Sequence, residues 1–180
     1  MAEVVASSTQ PALGAIRLAW WREALERLDH TAPPAEPRLQ AAVVELLARG
    51  ITGKALAGLE DGWATLFDET IDHTRLTERG ARLFGIGAIL LDASDPKLRD
   101  AGILTALMDA ARRGYPVVLD TAETQRSCLA RHRFSRALRP LTAFARLAAR
   151  DVRRAPGQEP EATPGRAFAL IRHRLTGRIG

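Results

Sequence analysis

The chain has 180 residues with a formal net charge of +5, and 46% of them are hydrophobic, enough for one domain to bury its own core. A single cysteine, Cys128, excludes an internal disulfide. The most apolar run, residues 83–91, is too short to span a bilayer and holds two glycines, and the first ten residues lack the basic start and apolar block of a secretion signal, so the expected location is cytoplasmic.

Alanine, leucine and arginine dominate, which favours helix throughout. Residues 1–10 read as a disordered lead-in. Thr9, with Pro11 in the first turn, is expected to cap a helix running to about Leu28. This helix carries two of the three tryptophans side by side, with Arg17 and Arg22 flanking them. Trp20 falls in line with Leu13, Ile16, Ala24 and Leu28, while Trp21 turns toward Leu18, Leu25 and Leu28. The widened apolar face suits packing on two neighbours, or on one neighbour and a cavity. Its plainest reading is core plus partly covered surface.

Three prolines make residues 30–37 a connector. A second helix is expected over residues 36–49, with Leu39, Val43, Leu46 and Leu47 apolar and Gly50 as its stop. Thr52 opens a third, whose stripe of Leu56, Leu59, Trp63, Leu66 and Phe67 has an unbroken helical period. Thr74 is expected to cap a fourth that continues through Leu91, with Gly80, Gly85 and Gly87 admitting another backbone. Asp95-Pro96 starts a fifth, reaching about Arg113. Residues 115–136 are expected to form a loop with at most one helical turn. A helix over 138–150 would turn Leu141, Phe144, Leu147 and Ala148 inward. Pro156, Gly157 and Pro160 make residues 153–163 a loop, and Thr163-Pro164 opens a last helix with Phe168, Ile171 and Leu175 on one face, ended by Gly177. No repeat of fixed period is present. The fold class expected is all-α, as one domain over residues 1–180.

Charge is lopsided. From Arg131 onward there are twelve arginines against three acids (Asp151, Glu159, Glu161), a net +9, which leaves −4 for residues 1–130. A basic end suits nucleic acid, anionic lipid or diphosphate, or is simply a solvated face. No aromatic interleaving or nucleic-acid motif accompanies it, so no nucleic-acid partner is expected. Asp68 and Asp72 have i, i+4 spacing, and Asp92 and Asp95 flank a turn; both pairs read as surface acids near helix ends. His30, His73, His132 and His173 are scattered, with no metal-ligand spacing. The serines lack a nucleophile motif, and no phosphate-cradling glycine loop is present.

The stretch Ile16-Arg17-Leu18-Ala19-Trp20-Trp21-Arg22-Glu23-Ala24-Leu25 resembles a helix of the squalene/phytoene synthase family. Leu59-Glu60-Asp61-Gly62-Trp63, Arg79-Gly80-Ala81-Arg82-Leu83-Phe84, Ala137-Leu138-Arg139-Pro140-Leu141, Leu147-Ala148-Ala149-Arg150-Asp151 and Ile171-Arg172-His173-Arg174-Leu175-Thr176-Gly177-Arg178 resemble later segments of its small divergent bacterial members, in the same order. The resemblance implies an isoprenoid-synthase-like helical bundle, incomplete at its N-terminus. It also implies an enzyme ancestry in which prenyl diphosphates are joined head to head, with Mg²⁺ held by two aspartate motifs across an apolar tunnel.

Two departures from that pattern bear on activity. No Asp precedes Asp29, so the first aspartate motif is missing. Thr105-Ala106-Leu107-Met108-Asp109 looks like the start of the second, but the position four beyond Asp109 is Arg113. The expectation is a family relative without Mg²⁺-dependent prenyl transfer, acting as an isoprenoid- or lipid-binding protein or in assembly; some family members assist assembly of respiratory complex I. The alternative is an active head-to-head prenyltransferase, if residues upstream of Met1 supply the aspartates; Mg²⁺ belongs only to that reading. Candidate ligand-binding residues are Arg17, Trp20, Trp21, Arg22 and Asp109, with no catalytic residue or metal ligand assigned. A homo-oligomer, or a protein partner covering the Leu13 to Leu28 helix, is expected. Peripheral contact with the inner membrane is a further expectation.

Overall fold

The computed structural model describes residues 1–155 and 159–180, and the fold they form is all-α. The helices are α1 (Ala2–Ser7), α2 (Pro11–Arg27), α3 (Pro37–Glu45), α4 (Gly53–Ala57), α5 (Asp61–Ala64), α6 (His73–Leu90), α7 (Leu98–Arg112), α8 (Leu119–Leu129), α9 (Arg139–Val152) and α10 (Pro164–Thr176). Short 3-10 turns follow α3 and α5. Among the described residues the extended pairing is a single bridge, Arg133 to Arg178.

The α6–α7 pair is the spine of the fold. It is close because Gly80 and Gly102 face each other: a Cβ on either would overlap the other's carbonyl oxygen. Gly80 therefore serves as the sequence suggests. Gly87 instead faces the Leu141 side chain, and Gly85 faces open space. The main core gathers around Leu76, Phe84, Leu104, Leu107, Phe134 and Leu138. A smaller one, around Leu25, Leu39, Ile51 and Leu56, joins α2, α3 and α4, and Trp21 packs on both.

Several local expectations need correction. Residues 1–10 are not featureless: α1 buries Val4 and Val5. Gln10, not Thr9, is the N-cap of α2 and makes no side-chain cap bond. Asp72, not Thr74, caps α6, accepting from the Thr74 and Arg75 N–H groups, so this acid is committed to a helix end. Asp95 accepts from Lys97 N–H, and α7 starts three residues later than Asp95. The apolar stripe over residues 52–67 is not one helix but α4, α5 and a 3-10 turn. Gly58 and Glu60 keep right-handed helical dihedrals, so the side-chain period survives although the hydrogen-bond ladder breaks.

The largest error of expectation is residues 115–136, where α8 runs three turns. It buries only Ala122 and Leu129, seven residues apart, so its apolar signal is too thin to read as a helix. In α9 the inward residues are Thr142, Ala145, Arg146, Ala148 and Ala149, whereas Phe144 is 61% exposed. The polar members of that face find partners within the fold, although Arg146 Nε is buried without one. Thr142 O–H lies on the Leu138 carbonyl oxygen and 3.0 Å from His173 Nε2, and Arg146 donates to the Ile179 carbonyl. The turn residues Pro156 and Gly157 lie outside the described residues.

Candidate functional site

The five candidate residues do not converge. On α2, Leu18, Leu25 and Leu28 face inward and Trp21 is half-buried, while Leu13, Ile16 and Trp20 form an exposed stripe. Trp20 meets Trp21 edge to face, with centroids 5.2 Å apart. Arg17 is exposed, and its guanidinium lies 3.5 Å from Ser7 Oγ at the end of α1. Arg22 lies 3.8 Å from Glu60, a carboxylate buried at the start of α5. Burial pushes the Glu60 carboxyl above the usual range, and the attraction of Arg22 opposes that only in part.

Trp63, on α5, links the two halves of the candidate set. With Trp21, Leu25 and Leu39 it lines a cavity of about 310 Å³. The Arg79 guanidinium sits 3.6 Å above the Trp63 ring and that of Arg113 at 5.3 Å. Arg79 is 5% exposed, and burial brings its pKa down to about 10 despite its acidic neighbour. That neighbour is Asp109, 3.3 Å from Arg79 Nη2. Asp109 also accepts from Arg113 Nε at 3.1 and 3.2 Å, one contact to each oxygen. The Asp109 carboxylate is thus clasped between two guanidinium groups.

Asp109 also borders an open groove of about 700 Å³ between α7, α9 and α10. Its walls are apolar: Met108, Phe144, Leu147, Ala148, Ala167 and Leu170. The charged floor is internally neutralised. Asp151, nearly fully buried, accepts from Arg112 at 3.2 Å and Arg166 at 2.5 Å. Arg112 also donates to the Glu159 carbonyl. Hydrogen bonds from Arg150 and then Thr163 hold the Glu159 carboxyl down at about 2.

Sequence reasoning read Trp63 and Arg79 as members of family-like segments, not as site residues, and it missed the Arg112–Asp151–Arg166 set. One signal was available. Asp151 is one of three acids among twelve arginines, so an arginine partner was to be expected, although the same count applies to Glu161, which is exposed.

No three His, Cys, Asp or Glu side chains stand together as a metal-ligand set among the described residues. The residues present do not fit Mg²⁺: Asp109 is shared by Arg79 and Arg113, Asp68 and Asp61 both bind Arg75, and Asp72 is a helix cap. No helix among the described residues is long and apolar enough to cross a membrane. Comparison of the chain with known proteins returns no match, whether to a family model, a curated protein or a solved structure.

Proposed function

We propose that this chain is a binding protein of the squalene/phytoene synthase type, which holds an apolar isoprenoid or lipid chain in the groove between α7, α9 and α10 and does not carry out Mg²⁺-dependent prenyl transfer. One observation carries the reading: the Asp109 carboxylate is occupied by Arg79 and Arg113. Pulling it onto a divalent cation would strand the buried Arg79 charge without its counterion. The groove's volume and apolar walls suit a small apolar ligand. Its paired charges leave little net field to attract a diphosphate.

Calorimetry with farnesol, alongside a pyrophosphate-release assay with farnesyl diphosphate and Mg²⁺, tests this. We expect farnesol binding that weakens at least tenfold in Leu147→Trp, a substitution that fills the groove, and no release of pyrophosphate. Steady release, or binding indifferent to Leu147→Trp, overturns it.

An assembly role has its own support. Leu13, Ile16 and Trp20 are 54%, 65% and 47% exposed along one face of α2, an apolar stripe suited to a protein partner or second copy. Light scattering at high concentration separates that role from a monomeric binder: a monomer at every concentration rules out self-association through this stripe.

A further inference from the structure

Helix α10 has two unlike faces. Ala169 and His173 are buried on the side that meets α9. Phe168, Ile171 and Leu175 are 68%, 57% and 70% exposed. At about 100° per residue these three fall within an arc of roughly 60°, opposite the buried side. Arg172 and Arg174 lie just outside that arc, one on each flank, and both are exposed. Neither has a carboxylate within ion-pair distance among the described residues, and Pro164–Thr176 contains no acid. Arg136 and Arg139 join Arg174 and Leu175 around a neighbouring groove of about 870 Å³, which meets the 700 Å³ groove at Leu170.

We propose that α10 seats the protein on an anionic lipid surface. Phe168, Ile171 and Leu175 enter the upper acyl region, while Arg172 and Arg174 keep their guanidinium groups among the headgroup phosphates. Charge decides the occupant. The segment from Arg131 onward carries a net +9, and Arg172 and Arg174, which have no carboxylate partner among the described residues, stand on the two flanks of the apolar stripe. A sheet of anionic headgroups meets both flanks at once, and the stripe between them needs a hydrocarbon medium. This surface acts independently of any ligand in the groove.

Cosedimentation with vesicles tests it. We expect the protein to pellet with phosphatidylcholine–phosphatidylglycerol vesicles, in about a two-to-one mixture, at low salt, and not with phosphatidylcholine alone. Added salt at about 0.5 M should release it, because it shortens the screening length. The double variant Arg172→Gln with Arg174→Gln should weaken binding about 25-fold, fivefold for each charge. Phe168→Ser with Ile171→Ser should weaken it at least tenfold while circular dichroism and melting stay unchanged, since both side chains are already in solvent. Three results overturn the proposal. The wild type stays in the supernatant with phosphatidylglycerol vesicles; or both double variants bind like the wild type; or Phe168→Ser with Ile171→Ser dissolves a dimer while vesicle binding is absent, which gives the face to a second copy.

Discussion

Removing the Asp109 carboxylate isolates a guanidinium that is 5% exposed. In Asp109→Ala, Arg79 keeps its stack on Trp63, worth about 1–2 kcal/mol, but loses its counterion. Breaking a buried pair from one side costs about 3–5 kcal/mol. Asp109 is 36% exposed, so solvent screens part of that attraction, and the expected loss is about 2–3 kcal/mol. For a domain of this size that lowers the melting temperature by roughly 5–10 °C. Urea unfolding followed by circular dichroism reads both the free energy and the slope. Arg79→Met together with Asp109→Leu should recover much of the loss, because no charge is then left buried alone. Asp109→Ala melting at or above the wild-type temperature would refute the reasoning. That is the behaviour of a carboxylate held for a cation, whose removal relieves rather than strands charge.

Gly80→Ala should cost about 3 kcal/mol, because its methyl meets the Gly102 carbonyl, whereas Gly85→Ala, which faces open space, should gain up to about 1 kcal/mol of helix propensity; urea midpoints compare the two. Burial raises the Glu60 pKa above its ordinary value of 4.5, so its contribution to stability is most favourable below that value and falls as pH rises through the folded pKa. Glu60→Gln should therefore melt higher than wild type at pH 7 and match it near pH 4. Glu159 is shifted the other way, to about 2, so its stabilisation is present above pH 4.5 and is lost as pH falls toward 2. Glu159→Gln should melt lower at pH 7 and flatten the acid limb of a melting-temperature profile.

The helical class was legible because most long helices bury a repeating apolar stripe. Leu76, Gly80 and Phe84 mark α6, and Leu104, Leu107 and Ala110 mark α7. What the pattern could not convey was orientation where small or polar residues face the core. On α9, Thr142 and Arg146 point inward because His173 and the Ile179 carbonyl await them, partners more than 30 residues away. Phe144 and Leu147 consequently turn to the groove, where periodicity had placed them in the core. On α2 periodicity gave one wide apolar face; only its Leu18, Trp21 and Leu25 side turns inward, while the Leu13, Ile16 and Trp20 line is exposed. Asp109 stood out by motif, but its commitment to Arg79 spans 30 residues and leaves no local trace.

The most direct measurement uses the two methionines as methyl reporters. Met108 lines the groove beside Asp109, and Met1 lines the cavity near Trp21. In a methionine-methyl-labelled sample, farnesol should shift the Met108 resonance and leave Met1 in place, while Mn²⁺ substituted for Mg²⁺ should leave both lines sharp. A Met108 line that Mn²⁺ broadens, with no response to farnesol, would contradict the account.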